Sequence, residues 1–451
     1  MHPSLARTVF RLQENILRRP TFAYAKALER SQWLPREGIQ ELQLKRLRHL
    51  LNCALQHCPW HAERIRSAGI DPARMELQDL AKLPPMTRED VRHHLDDMVW
   101  RDAPGGVYRY NTGGSSGEPL IFYFGRKRQA ADAACRIRAR RWWGVEPGDR
   151  EVLLWGAPTE LQRTDRIKNL RDRLCNQLLL NAFEMSRDSM DTYLRILQDF
   201  QPKILYGYAS SLALLAEHAQ VRGIRPRLPD LKVVYTTGEP LYPHQREIIG
   251  TVFGAPVATE YGARDAGLIA LESPQGQLLI NSEWLLVEIL DDAGNPVADG
   301  ELGEVVVTNL ASEAQPFIRY RTGDHARRSA ERCRQGRGLE VLEEVVGRTT
   351  DFIVRPDGTI MHALALIYVL REIPGVCQFK IIQKDLNKIQ VLVVPEPKLW
   401  KTANLTTIEQ GLYQRLGEEI DIAIHIVEHI PVEKSGKYRY VVSEIQEHTL
   451  C

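Results

Sequence analysis

Six short stretches, in order along the chain, concentrate residue types that handle anions and hydroxyl groups. The first is Tyr110-Asn111-Thr112-Gly113-Gly114-Ser115-Ser116-Gly117-Glu118-Pro119. Its glycines let backbone N–H groups come close to phosphate oxygens, and Thr112, Ser115 and Ser116 add neutral donors. Taken alone it is equally a plain Gly/Ser turn. It is not a Walker loop, because no Lys-Ser/Thr follows the last glycine. The second is Thr236-Thr237-Gly238-Glu239-Pro240, directly after an apolar strand. The third is Glu260-Tyr261-Gly262-Ala263-Arg264-Asp265-Ala266-Gly267. Both put small or polar residues at the end of an α/β strand, where such sheets bind ligands. In the fourth, Arg319-Tyr320-Arg321-Thr322-Gly323-Asp324, the Asp324 carboxylate suits the vicinal hydroxyls of a ribose, or the turn of a hairpin. The fifth is Gly347-Arg348-Thr349-Thr350-Asp351 and the sixth Ser435-Gly436-Lys437-Tyr438-Arg439-Tyr440.

The elements that must position these stretches are legible as patterns. Residues 1–95 read as helical, with Leu44, Leu47, Leu50, Leu51 and Leu55 at helix-like spacing. After Pro84-Pro85, Thr87 reads as a helix N-cap with Asp90 at the capping-box position. From 96 to 265, short apolar strands (120–124, 151–155, 203–206, 231–235) alternate with helices (126–143, 188–200, 209–222, 243–253), which implies an α/β sheet. From 266 to 347 helices vanish and strands follow one another at 277–280, 284–290, 303–309 and 317–320. Residues 348–451 read as a smaller α+β unit: helix 363–371, strands 376–383 and 388–394, helix 405–418, strand 423–428. The expectation is an α/β protein with a large domain over 1–347, including a β-rich part, and a small α+β domain over 348–451.

Bulk properties narrow the class. The chain has 451 residues, and 59 basic residues face 58 acidic ones. That balance gives no reason to expect nucleic acid or an anionic membrane as a partner. Seven scattered cysteines argue against a disulfide framework. Cys53, Cys58 and His61 lack a fourth zinc ligand and read as isolated side chains. No signal peptide pattern and no apolar run long enough to span a bilayer are present, so a cytoplasmic location is expected. The run Arg136 to Arg141, followed by Trp142-Trp143, reads as one helix with solvated arginines and anchoring tryptophans.

Together and in this order, the six stretches resemble the adenylate-forming superfamily of acyl-CoA synthetases, firefly luciferases and nonribosomal adenylation domains. Within it the chain is most similar to the phenylacetate–CoA ligase group, through Cys58-Pro59-Trp60-His61, Ala68-Gly69-Ile70-Asp71-Pro72 and the stretch from Leu80 to Asp90. More narrowly it resembles relatives encoded with capsule and surface-polysaccharide genes, through Tyr206-Gly207-Tyr208-Ala209-Ser210-Ser211-Leu212, Tyr261-Gly262-Ala263-Arg264-Asp265 and Gly436-Lys437-Tyr438-Arg439-Tyr440. The resemblance runs from about 45 to 446.

The resemblance implies a role for each stretch. Thr112, Gly113, Gly114, Ser115, Ser116 and Gly117 hold the β- and γ-phosphates of ATP, with Gly113 where Ser or Thr is common. Gly238, Glu239 and Pro240 line the adenine pocket, Tyr261 lies on the purine face, and Gly262 belongs to the same turn. Asp265 stands where a Glu usually helps hold Mg2+. Asp324 binds the ribose, Arg348 adds a contact near the nucleotide, and Asp351 lies at a hinge on which the small domain turns. Lys437 brings a cation to the substrate carboxylate and the α-phosphate. Tyr206, Tyr208 and Tyr235 are candidates for the acid pocket, and Asp357-Gly358 reads as a hairpin turn. The expected cofactors are ATP and Mg2+, and the expected partner is a small carboxylic acid. The acceptor is left open among CoA, a carrier-protein thiol and a sugar hydroxyl or amine. Oligomeric state is also open, with a homodimer as the option the relatives suggest. A second class of function is a degenerate nucleotide- or acyl-binding protein. Against it stands the joint presence of Lys437, Asp324 and Tyr261.

Overall fold

Leucines on one face of a helix need a partner, and in the N-terminal region that partner is the edge of a large sheet. The computed structural model describes residues 1–111, 120–155, 171–182, 185, 187–348, 352–356, 360–362, 364–371, 373–430 and 440–445. It divides into two compact units, Met1–Val346 and Gly347–Cys451.

The first unit opens with helices α1 (Pro3–Ile16), α2 (Thr21–Ser31), α3 (Arg36–His57), α4 (Pro59–Ser67) and α5 (Arg88–His93). Leu47, Leu50, Leu51 and Ala54 of α3 are buried against Leu310 and Ile318. Thr87 caps α5 as a reciprocal box: Asp90 N–H donates to Thr87 Oγ1 at 3.2 Å, and Thr87 N–H to Asp90 Oδ2 at 2.7 Å. Strands β1 (Val107–Asn111) and β2 (Ile121–Gly125) then form an antiparallel pair on either side of the Gly/Ser stretch. Helix α6 (Arg126–Trp142) follows β2 directly.

Next come β3 (Glu151–Trp155), β4 (Gln177–Asn181), α7 (Arg187–Phe200), β5 (Ile204–Tyr208), α8 (Ala209–Val221), β6 (Val233–Thr237), α9 (Pro243–Phe253) and β7 (Val257–Ala263). Strands β3 to β7 are parallel, in spatial order β7-β6-β5-β3-β4. Side chains alternate across this sheet. Val152, Leu154, Leu205, Val234 and Val257 pack under α7, α8 and α9. Ile204, Tyr206, Val233, Tyr235 and Ala258 face α6 and α2.

The helix-free stretch does not form a sheet of its own. Strands β8 (Gly267–Glu272), β9 (Leu278–Ile280), β10 (Leu285–Leu290), β11 (Leu302–Asn309), β12 (Tyr320–Arg328) and β13 (Val341–Arg348) continue from β7 into one eleven-stranded sheet. The strand expected over 317–320 begins only at Tyr320. Arg319 has a left-handed φ of 54° and its guanidinium pairs with Glu288, which breaks the extended run.

The second unit contains a hairpin of β14 (Phe352–Val354) and β15 (Ile360–His362), helix α10 (Leu364–Arg371), β16 (Val376–Asp385), β17 (Lys388–Pro395), helix α11 (Ala403–Leu416), β18 (Asp421–Ile426) and β19 (Val441–Ser443). Its four-stranded sheet has the order β18-β17-β16-β19. Strand β18 lies two residues earlier than the spacing predicts, and β19 is an additional strand.

Among the described residues no helix is long and apolar enough to cross a membrane. The six described cysteines are free. Burial pushes the Cys58 thiol up to about 12 and the His61 imidazole down to about 3, so neither group is charged at neutral pH.

Candidate functional site

The carboxyl ends of β5, β6 and β7 lie in register, with Tyr208 opposite Thr237 and Thr237 opposite Glu260. At the end of β6 the chain must turn sharply, and Gly238 does so at a φ of 75°. Glu239 follows, and its Oε2 accepts the Ser210 N–H at 3.0 Å. Its carboxylate thus sits in the first turn of α8, where free backbone N–H groups favour negative charge. Gly238 and Pro240 are exposed.

Tyr261, near the end of β7, meets Asp324 of β12. Its hydroxyl donates to Asp324 Oδ2 at 3.1 Å, so two residues 63 positions apart share one spot. The Asp324 carboxylate is buried to within a few per cent, and its backbone N–H is capped by Thr322 Oγ1 at 3.1 Å. Gly262 comes next because β7 and β8 approach closely there. A Cβ on it would lie 2.8 Å from the Gly267 carbonyl oxygen.

The turn beyond is braced from three sides. Arg128 Nη2 donates to the Arg264 carbonyl at 3.0 Å, and Asn309 Nδ2 to the Ala266 carbonyl at 2.9 Å. Arg264 reaches back with Nη1 to the Asn111 carbonyl at 3.0 Å, the last residue of β1 before the Gly/Ser stretch. Asp265 is 4% exposed. Its Oδ2 accepts from the Tyr320 hydroxyl at 2.7 Å and its Oδ1 from the Ala266 N–H at 3.0 Å.

On the other side of β7, Glu260 anchors a second cluster. It accepts from Arg136 Nε at 3.1 Å and Nη2 at 3.0 Å, from the Tyr206 hydroxyl at 2.8 Å, and from Thr237 Oγ1 at 3.3 Å. Burial would raise the Glu260 carboxyl, but the Arg136 guanidinium outweighs it and holds the group below its usual range. Tyr208 stacks on Trp155 with ring centroids 4.2 Å apart. Burial, with the Glu239 charge nearby, pushes its hydroxyl up to about 12, so it stays a donor at neutral pH.

Of the predicted site residues, Gly238, Glu239, Pro240, Tyr261, Gly262, Asp265 and Asp324 gather around the carboxyl ends of β6 and β7 and the facing part of β12. Tyr206 and Tyr208 lie at the end of β5 on the neighbouring cluster. Tyr235 does not join them. It is 1% exposed, accepts from Trp143 Nε1 at 2.9 Å and donates to the Glu272 carbonyl at 2.9 Å, so it fills the core between sheet and helix. Arg348 closes β13. The stretch Thr112 to Gly117, Asp351, Asp357-Gly358 and Lys437 lie outside the described residues.

The arginine run on α6 is corrected. Three of its members are tied to carboxylates: Arg136 pairs with Glu260, Arg138 is fully buried on Glu283 at 2.6 and 2.8 Å, and Arg140 holds Glu151 at 3.1 Å. Glu260 and Glu151 come from β7 and β3, and Glu283 from the turn between β9 and β10. Glu260 and Arg136 were therefore missed as site residues. The available signal was an acidic residue immediately before Tyr261.

Several known proteins are similar to this chain. Residues 353–444 match the CapK C-terminal domain family. Protein CapK of Staphylococcus aureus is 22% identical over 409 residues, covering 90% of this chain and 89% of that protein. Phenylacetate-coenzyme A ligase of Thermus thermophilus is 24% identical over 394 residues, covering 86% and 85%. The crystal structure of 2-hydroxyisobutyryl-CoA ligase in the postadenylation state, in complex with R3-HIB-AMP, superposes with a TM-score of 0.70 at 20% identity, covering 94% of this chain and 92% of that one. That likeness establishes the shared fold.

Proposed function

The chain belongs to the adenylate-forming superfamily, in its phenylacetate–CoA ligase-like branch, and from this premise we propose that it activates a carboxylic acid with ATP and passes the acyl group to CoA. The acid's carboxylate attacks the α-phosphorus of ATP. A new P–O bond forms, the bond to the β-phosphate bridging oxygen breaks, and pyrophosphate leaves. The CoA thiol, giving up its proton, then attacks the acyl carbon of the mixed anhydride and AMP leaves.

The observation that carries this reading is the Tyr261–Asp324 contact at the carboxyl ends of the sheet. An aromatic face beside a buried carboxylate suits a nucleoside: the ring stacks on the base, and the carboxylate accepts from the ribose diol. In that role Asp324 exchanges the Tyr261 hydroxyl for ribose hydroxyls. Glu239 and Gly238 border the base. The loop 112–117, which follows Asn111 in the chain, would cradle the phosphates. Lys437 would supply the cation that screens the carboxylate from the α-phosphate.

Asp265 would help hold Mg2+. Each carboxylate oxygen already accepts one neutral donor and retains a lone pair, and this ion keeps several waters. Bound there, Mg2+ would neutralise phosphate charge.

The test is ATP–pyrophosphate exchange with a panel of acids, followed by product analysis with CoA, a holo-carrier protein and sugar nucleotides offered separately. Acid-dependent exchange with acyl-CoA as product is the expected result. No exchange with any acid would sink the reading. Exchange with transfer only to a carrier protein or a sugar would retain adenylation and replace the acceptor.

A further inference from the structure

Outside the two clusters on β7, three side chains of different chemistry converge where helix α3 meets the connection between β11 and β12. His49 and Cys53 stand four residues apart on α3, so they share one helix face. Glu313 comes from the connection, 264 positions after His49. His49 Nε2 lies 2.7 Å from Glu313 Oε1 and 3.8 Å from Cys53 Sγ, and the three atoms all fall within 4.8 Å of one another. The sequence shows Cys53 as an isolated thiol, because its partners are a helix turn before it and a distant connection.

The backbones that carry these groups are already fixed. Leu50, Leu51 and Ala54 of α3 are fully buried in one cluster with Leu310 and Ile318, which lie near the two ends of the connection. Within it, Ser312 Oγ donates to the Gln315 carbonyl at 2.6 Å, and the Trp100 N–H donates to the Ala314 carbonyl at 2.8 Å. Three ligands therefore meet without further ordering of the chain. The spacing also suits a small ion. Nitrogen, oxygen and sulfur ligands around tetrahedral Zn2+ stand about 3.3–3.6 Å apart, so side-chain adjustments of roughly 1 Å suffice. The proton in the 2.7 Å contact between His49 and Glu313 occupies the place such a cation would take. Lys127 Nζ of α6 pairs with the same Glu313 oxygen, so a positive charge is already drawn to this carboxylate.

We propose that His49, Cys53 and Glu313 form a Zn2+ site with water in the fourth position. The donor set selects the ion. One imidazole nitrogen, one thiolate and one carboxylate oxygen suit Zn2+, whereas Mg2+ and Ca2+ take oxygen ligands. A thiolate and a carboxylate together balance the double charge of the ion. On binding, the metal–sulfur bond forms and the Cys53 proton passes to water. His49 coordinates through Nε2 and keeps its remaining proton on Nδ1, and Lys127 gives up Glu313. The exposed His49 leaves the ion a way in from solvent. Once bound, the metal ties α3 to the β11–β12 connection.

The experiment strips the full-length protein with a chelator and titrates it with Co2+, whose absorption reports both tetrahedral geometry and thiolate ligation. Zn2+ is then added to displace it. The expected result is a thiolate-to-cobalt charge-transfer band that saturates at one equivalent, is erased by Zn2+ and is absent from Cys53→Ser. His49→Ala is expected to weaken Co2+ binding by about 100-fold or more, since losing even an outer partner of a metal ligand costs about 10- to 100-fold. Where circular dichroism shows that Cys53→Ser does not fold, Glu313→Gln takes its place, with a weakening of about 100-fold or more again expected. No band in the wild-type protein overturns the proposal. So does a band that persists at full affinity in Cys53→Ser, His49→Ala or Glu313→Gln, because the metal then sits on other side chains.

Discussion

Glu260 and Tyr261 are neighbours on β7, yet they serve two differently built regions. On the Tyr261 side the phenol hydroxyl donates to the Asp324 carboxylate at 3.1 Å, and Gly238 and Pro240 are exposed at the neighbouring strand end. On the Glu260 side a bidentate guanidinium, a phenol and a threonine hydroxyl converge on a single carboxylate. The first arrangement can exchange its internal bond for a ligand's at little cost. The second cannot, because opening a buried ion pair leaves charge uncompensated. The Tyr261 side is built to take up a ligand, and the Glu260 side to hold α6 to the sheet.

Several measurements would break or sharpen this contrast, beginning with the largest effect. Lys437→Ala is expected to lower pyrophosphate exchange by about a thousandfold, the scale of a lost transition-state donor, while ATP still binds. Unchanged exchange would refute that lysine's part. Glu260→Gln leaves Arg136 without its counterion and is expected to lose roughly 3–5 kcal/mol of stability, read by denaturant unfolding. An equally stable variant would show that the rigid side is not rigid through this pair. The loss should also depend on pH. Glu260 is held below its usual range, so its contribution is present above the ordinary carboxylate range near about 4.3 and fades as pH falls through the lower folded value. The gap between wild type and Glu260→Gln therefore narrows in acid, and a gap that widened would contradict the assigned shift.

Smaller effects belong to the displaceable side. Asp324→Ala removes the acceptor proposed for the ribose and is expected to raise KM for ATP by about 10- to 100-fold, the scale of a hydrogen bond to a charged group. Tyr261→Phe keeps the ring and loses the hydroxyl bond to Asp324. Its effect on KM for ATP should stay within about fivefold, since that bond is given up on binding. A larger loss would mean that the hydroxyl itself contacts the nucleotide.

The two regions were not equally legible in the sequence. Tyr261, Gly262, Asp265 and Asp324 stand in short strings whose residue types announce their chemistry, and turn residues such as Gly238 mark where strands end. The α/β alternation of 96–265 also reads directly from apolar runs. The rigid side was hidden because its logic is long-range. Helical periodicity treats Arg136, Arg138 and Arg140 as surface charges, while their partners Glu260, Glu283 and Glu151 arrive from positions 124, 145 and 11 residues away. Tyr235 looked like a pocket residue by type alone, and only the sheet's alternation places it under Trp143. The continuation of β8 to β13 into the parallel sheet was equally invisible, since strand pairing across such distances leaves no local signature.

The most direct measurement is a crystal structure with a non-hydrolysable acyl-adenylate analogue. Adenylation at this site predicts the ribose hydroxyls on the Asp324 carboxylate and the base against Tyr261. A nucleotide bound away from Asp324, with that carboxylate still on the Tyr261 hydroxyl, would contradict it.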